Sequence, residues 1–238
     1  MVASRSTLAS EAGIEIMRRG GNAVDAAVAT AFALAVTYPS AGNLGGGGFA
    51  VVRLQSGEVV TLDHREKAPA AAHRDMFLDE NGEVDNHLAR STLLSSGVPG
   101  SVDGLITLLQ RYGTLSLPQV IAPAIKLARD GFEIDWYVAR HFAWVRPKMI
   151  KHAASIAKFS VAGRPPKQGD IWRQPDLAST LQRISEEGRK GFYEGKTADL
   201  IVSEMQRSGG IISYEDLADY RSVWREPVKG SYRGYDIW

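Results

Sequence analysis

The chain has 238 residues, with 28 Lys and Arg against 27 Asp and Glu and a formal net charge of +1. That balance excludes the basic excess of an electrostatic nucleic-acid binder. The absence of cysteine excludes disulfides, thiolate zinc sites and a Cys nucleophile. The composition, 44% hydrophobic and 23% charged, is that of a globular chain with room for one domain or one and a half. The most apolar run, 23–36, contains Asp25 and falls short of the ~20 residues that a membrane-spanning helix needs. No membrane span is therefore expected. The first ten residues have no basic segment followed by an apolar one, so they carry no signal peptide. Either the protein is cytoplasmic or a signal preceded this numbering.

The opening reads as two successive helices. Ser6 or Thr7 caps the first, over 8–19, where Leu8, Ala12 and Ile16 recur every four residues. Gly20-Gly21 stops it just after Arg18 and Arg19, which suit a helix C-terminus. Asn22 caps the second, over 23–36, and Asp25 sits at its positive end. That helix is apolar nearly all round, which predicts burial on most sides. Tyr38-Pro39-Ser40 ends it. After the glycine-rich stretch AGNLGGGG at 41–48, segments 49–54 and 58–63 read as strands joined by Gln55-Ser56-Gly57. The first, FAVVRL, is an almost continuous apolar run, which predicts a strand buried on both faces.

From about 70 to 222 the pattern is mostly helical. Ser101 caps a helix over 102–112 that Gly113 stops, and Ser116 with Pro118 starts another over 117–129 that Gly131 stops. Pro123 predicts a kink or a split in the latter, and Pro147 an interruption of a helix over 136–148. Further helices begin at Pro175 and span 197–206, and Ser213 with Asp216 has capping-box spacing. The stretch VAGRPPKQGD, 161–170, predicts an exposed excursion. Segments 226–232 and 235–238 read as strands around Arg233-Gly234. The second ends at Trp238 as an apolar strand with no turn or cap after it. Such an end leaves an unpaired edge, so the chain reads as part of a longer one. The expected organisation is core helices and a hairpin over 1–70, a mostly helical region over 71–222, and returning strands over 223–238 that are cut short.

Two features stand out as carriers of chemistry. The glycine run is not a phosphate loop, because no Gly-Lys-Ser/Thr follows and it leads into a strand rather than a helix. It is either a backbone that passes too close to a neighbour for any side chain, or a set of amides lining a pocket. The second feature is Asp63-His64-Arg65-Glu66-Lys67-Ala68-Pro69, directly after the second strand. A charged strand end is ordinarily a solvated turn. Here, however, Arg65 is fixed at the end of a hairpin, and its planar fork suits bidentate capture of a carboxylate. Glu66 and Asp63 stand ready to hold that fork. No nucleophile emerges: there is no GxSxG elbow, no HExxH and no penicillin-binding-type Ser-x-x-Lys. The five histidines, at 64, 73, 87, 141 and 152, lack metal-ligand spacing and read as surface or capping residues. No metal and no cofactor is indicated. Removal of Met1 would expose Val2, which is no nucleophile.

The blocks MVAS (1–4), LASEAG (8–13), GGNAVDAAVATAFAL (20–34), GNLGGGGF (42–49), LDHREKAP (62–69), RDMFLD (74–79), GVPGSVDGL (97–105) and PAIKLARDGF (123–132) occur in that order. Together they make the chain resemble the gamma-glutamyltransferases. The resemblance implies an α/β (α+β) fold, the αββα sandwich of N-terminal nucleophile hydrolases, with only its N-terminal portion and a mostly helical excursion present here. It implies a precursor that cuts itself into a large N-terminal and a small C-terminal subunit. The new N-terminal Thr of the small subunit is then the nucleophile, with its own amine as base. This chain matches the front part of the large subunit and holds no such Thr, so on its own it is expected to be inactive. The C-terminal small subunit of the same precursor and a small gamma-glutamyl substrate such as glutathione are the implied partners. In the family the Arg of the REKAP-like block binds the donor's α-carboxylate, and that position is Arg65; Glu66 is read as its orienter. Cephalosporin acylases and polyglutamate-processing enzymes share the architecture and are the alternative within it. A non-catalytic scaffold is the alternative outside it. Family members are mostly periplasmic, secreted or on cell surfaces, which favours that location by resemblance alone.

Overall fold

A computed structural model describes residues 1–150 and 152–238. In chain order, α1 (Thr7–Arg18) and α2 (Ala23–Thr37) precede strands β1 (Phe49–Arg53) and β2 (Val59–Asp63). Helices α3 (Asn86–Ser91), α4 (Ser101–Tyr112) and α5 (Leu117–Asp130) follow, then β3 (Phe132–Glu133), α6 (Trp136–Met149), α7 (Ala153–Lys158) and β4 (Ile171–Trp172). The chain closes with α8 (Pro175–Glu187), α9 (Lys190–Tyr193), α10 (Gly195–Ser208), α11 (Tyr214–Asp219), β5 (Val223–Arg225), β6 (Gly230–Tyr232) and β7 (Tyr235–Ile237). The fold is α+β. It divides into two compact units that are each discontinuous in sequence: 1–43 with 113–186, and 44–112 with 187–238.

The first unit is built on α1, α2 and α5. Ser6 caps α1 as expected, its side chain accepting from the Ala9 N–H. A Cβ on Gly13 would lie 2.3 Å from Thr30 Oγ1 and 2.9 Å from the Ala26 carbonyl, so α1 and α2 touch there at backbone distance. Helix α2 is buried over most of its surface, with Val28, Ala29, Phe32, Ala33 and Val36 wholly inside. This is the consequence of an apolar sequence on all sides. Helix α5 supplies Val120, Ile121, Ala124 and Ala128 to the same core. Pro123 neither splits α5 nor lies outside it: the helix runs unbroken from Leu117 to Asp130 with Pro123 buried inside it. Pro147 likewise lies within α6 without interrupting it. In α5 burial of the ring adds apolar contact. The other end of this unit is an aromatic cluster in which Trp172, 2% exposed, meets Phe132, Phe142 and Phe159.

Asp25 ties the first unit together. Asn22 and Asp25 form a complete capping box at the start of α2. The Asp25 carboxylate, wholly buried, also accepts from the Thr114 N–H (3.0 Å), Thr114 Oγ1 (2.7 Å) and the Leu115 N–H (3.1 Å). Burial alone would raise its pKa, but the bonds from Thr114, Asn22 and Leu115 outweigh it and hold the carboxyl below its ordinary 3.8. A depressed folded-state pKa means stabilisation that is present above 3.8 and lost as pH falls through the folded value. In the complete protein, Asp25→Asn should cost about 1–2 kcal/mol near neutrality, because the amide turns an NH2 donor toward partners that are themselves all donors. The difference between the two denaturant midpoints should shrink in acid. A difference that grew in acid would contradict this account.

In the second unit β1, β2 and β5 form an antiparallel sheet in the order β1-β2-β5, with Phe49 opposite Asp63 and Leu62 opposite Trp224. Helix α4 packs against β2, whose Leu62 is fully buried. The expectation of a β1 buried on both faces is corrected: Phe49 and Val51 are 62% and 55% exposed, and Arg53 is exposed with them. The described residues leave the face carrying Phe49 and Val51 uncovered and only half-bury Ala50 and Val52 on the other. Strands β6 and β7 form a separate exposed hairpin. Ser213 and Asp216 make the expected capping box on α11.

Candidate substrate-binding site

All the pieces of the site lie in the second unit. The β1–β2 ladder continues one residue past Asp63, where Gly48 and His64 exchange N–H···O bonds of 3.2 and 3.0 Å. The chain then carries His64, Arg65 and Glu66 across a bed of glycine backbone. A Cβ on Gly47 would stand 2.5 Å from the His64 carbonyl oxygen and 2.8 Å from Arg65 Cα. One on Gly100 would stand 2.1 Å from both the His64 carbonyl oxygen and the Tyr220 hydroxyl. Close approach therefore accounts for Gly47 and Gly48 of the glycine run, whereas a Cβ on Gly45 would meet nothing within 4 Å. The run's Gly46 carbonyl also accepts from the Gly100 and Ser101 N–H groups at 2.7 and 2.9 Å, satisfying donors that the start of α4 would otherwise leave orphaned.

His64 is not a surface or capping histidine. It is 9% exposed, its ring filling the space left by Gly48 and Gly104, and burial pushes its pKa down. The ring is thus neutral near pH 7 and serves as packing beneath the loop. The sequence hid this because the two glycines that make room for it lie 16 and 40 residues away along the chain.

Arg65 has both of its peptide groups fixed. Its N–H donates to Asp63 Oδ1 at 3.0 Å, and its carbonyl accepts from the Tyr220 hydroxyl at 2.7 Å. The side chain points outward and is 61% exposed, with Nε 3.1 Å from Glu66 Oε2. No hydrogen bond from a described residue reaches its two Nη groups, and the guanidinium carbon lies 5.9 Å from the centre of the Phe49 ring. Glu66 Oε2 thus pairs with the fork at ion-pair distance, without a hydrogen bond to it. Asp63 does not, which corrects its expected part. Its Oδ2 accepts from Arg225 Nε at 2.6 Å, and the Arg65 N–H and Arg225 together hold its carboxyl below the usual range.

Behind this loop lies a buried polar cluster that the sequence did not announce. Asp103, 4% exposed, accepts from Arg189 Nε (2.9 Å), the Ser222 N–H (2.7 Å) and Ser222 Oγ (2.5 Å). Arg189 also donates to the carbonyls of Leu217, Ala218 and Tyr220 at 3.2, 2.9 and 2.7 Å. The Tyr193 and Tyr220 rings stack at 5.9 Å, and Tyr193 Oη donates to the Pro99 carbonyl. The one sequence trace of this cluster was Ser101–Asp103, which read as an ordinary helix start. Among the described residues no three His, Cys, Asp or Glu side chains are grouped to hold a metal ion.

Comparison with known proteins decides the family. The gamma-glutamyltranspeptidase family model matches residues 9–238, nearly the whole chain. The chain belongs to the gamma-glutamyltranspeptidase family. It is 47% identical to the glutathione hydrolase proenzyme of Escherichia coli over its whole length, while covering 41% of that protein. The structure superposes on Helicobacter pylori gamma-glutamyltranspeptidase with a TM-score of 0.97 at 49% identity, covering 100% of this chain and 68% of that one. For the Pseudomonas nitroreducens gamma-glutamyltranspeptidase complexed with L-DON the TM-score is 0.93 at 41% identity, over 99% of this chain and 69% of that one. A cephalosporin acylase from Bacillus halodurans is similar at 31% identity and a TM-score of 0.86, over 96% of this chain and 43% of that one. The chain thus spans about two-fifths of the length of the curated relatives it matches, some of which are named proenzymes. Among the described residues no helix is long and apolar enough to cross a membrane.

Proposed function

We propose that the complete protein cleaves gamma-glutamyl amide bonds of glutathione and related donors, and passes the glutamyl group to water or to an amino acid. This chain supplies the front part of the large subunit. A C-terminal small subunit of the same precursor supplies the N-terminal Thr. Its hydroxyl attacks the γ-carbonyl while its own amine takes the proton, and the donor's amine leaves to give a glutamyl ester. Water or an acceptor amine then breaks that ester and restores the Thr.

In this reading Arg65 binds the donor's α-carboxylate and Glu66 orients the guanidinium. The carrying observation is a guanidinium with unengaged Nη groups at a strand end whose backbone is bonded on both sides. Two parallel N–H donors are what a carboxylate accepts best. The exposed face of β1, with Phe49 and Val51, is the surface against which the remainder of the sandwich would close. A location outside the cytoplasm is part of the same reading.

The test is an assay of the complete, processed protein on a chromogenic gamma-glutamyl anilide and on a β-lactam side-chain amide. Turnover of the anilide is expected. Turnover of the β-lactam amide alone would place the protein with the acylases, and turnover of neither would support a scaffold. The present 238 residues offer no nucleophile, so they should show no turnover by themselves.

A further inference from the structure

We infer that Tyr220 is a positioning residue for Arg65, and that the buried Asp103–Arg189 pair anchors Tyr220 in that role. The inference rests on Arg65 being the donor-carboxylate clamp. It begins from the way a side chain is aimed. The direction in which Arg65 projects is set by its two peptide planes, and only the side-chain torsions remain free once these are fixed. The preceding plane is held locally, through the Asp63 carboxylate on the Arg65 N–H and the Gly48 N–H on the His64 carbonyl. The following plane is held from a distance of 155 residues, by the Tyr220 hydroxyl on the Arg65 carbonyl.

Tyr220 is itself over-determined. Its ring lies flat against Tyr193, with 6° between the planes, and Lys67 Nζ stands 5.0 Å from its centre. Its own carbonyl accepts from Arg189, which also holds the carbonyls of Leu217 and Ala218 at the end of α11. Arg189 is locked in turn by Asp103 on α4, and the same carboxylate takes both the N–H and the hydroxyl of Ser222. Leu217 and Ala218 before Tyr220 and Ser222 after it are therefore fastened to one buried charge pair. Gly100 leaves no slack: a Cβ there would overlap the Tyr220 hydroxyl. Burial and the nearby carboxylates Asp103 and Asp63 push the Tyr220 phenol up to about 12, so the hydroxyl stays a donor throughout the neutral range.

The experiment uses the complete, processed protein and two chromogenic anilides, one gamma-glutamyl and one 4-aminobutyryl. The second is the first without its α-carboxylate. Tyr220→Phe keeps the ring stack and removes only the hydroxyl. It should raise KM for the glutamyl donor about two- to tenfold, the worth of one hydrogen bond. Its kcat, and its kcat/KM for the aminobutyryl donor, should remain as in the wild type. In an Arg65→Ala background the same change should add nothing, because the group being aimed is gone. Arg189→Lys, which keeps the charge but lacks the fork that bonds Asp103 through Nε and the carbonyls through Nη2, should show the same donor-selective loss. Equal losses on both donors, or additivity with Arg65→Ala, would reduce Tyr220 to a structural role and overturn the inference. If Arg65→Ala leaves the ratio between the donors intact, the clamp reading fails and this inference goes with it. Erosion of that ratio in Arg65→Ala but not in Tyr220→Phe overturns the Tyr220 role alone.

Discussion

Arg65→Ala in the complete protein is expected to raise KM for gamma-glutamyl donors by roughly one to three decades. The range follows from the loss of a bidentate, charge-assisted contact to a carboxylate, about 2–4 kcal/mol. The low end corresponds to a fork that stays wet in the complex, and the high end to one closed over by the bound donor. The guanidinium is 61% exposed in this chain, so closure has to come from the ligand and from the rest of the protein. Arg65→Lys should recover only part of the loss, because an ammonium is a point charge and cannot present two parallel donors. Steady-state kinetics on a chromogenic gamma-glutamyl anilide reads both effects. An unchanged KM in Arg65→Ala would end the role assigned to this residue. A fall in kcat with KM constant would mean that the residue acts in the transition state rather than in holding the donor.

What the sequence disclosed about this site depended on how far apart the interacting residues lie. The helix caps at Ser6, Asn22 with Asp25, and Ser213 with Asp216 were all readable, because each joins residues no more than three positions apart. Arg65 and Glu66 were readable as a pair for the same reason. Asp63 was misassigned because proximity in sequence does not fix direction. One carboxylate oxygen takes the Arg65 N–H and the other goes to Arg225 on β5, 162 residues away. Asp103, Arg189 and Tyr220 were invisible as a group, since 86 residues separate the first two and no local pattern marks a buried charge. The apolar run of β1 predicted burial on both faces, but hydrophobicity is a property of the residues alone. It does not record whether a partner surface belongs to the same stretch of chain. The expected split at Pro123 and interruption at Pro147 failed differently. A missing N–H weakens a helix by one bond, and tertiary burial of the Pro123 ring offsets that cost.

The largest effect on stability is expected at Arg189. Replacing it with Met leaves the Asp103 carboxylate, 5% exposed, with no positive partner, and strips donors from the carbonyls of Leu217, Ala218 and Tyr220. Removing one member of a buried ion pair typically costs about 3–5 kcal/mol, most of it the penalty for the charge left behind. The Ser222 N–H and hydroxyl still bond Asp103, so its oxygens are not wholly abandoned and the lower half of that range applies. The double variant Asp103→Leu with Arg189→Met removes both charges, and should be more stable than Arg189→Met alone. Recovery should remain incomplete, because no apolar side chain can satisfy three carbonyls or the Ser222 N–H. Denaturant midpoints of the complete protein and its three variants give the coupling directly as a double-mutant cycle. A double variant no better than Arg189→Met would show that the charge pair contributes little. The carbonyl contacts of Arg189 would then be what holds the end of α11, and with it Tyr220, in place.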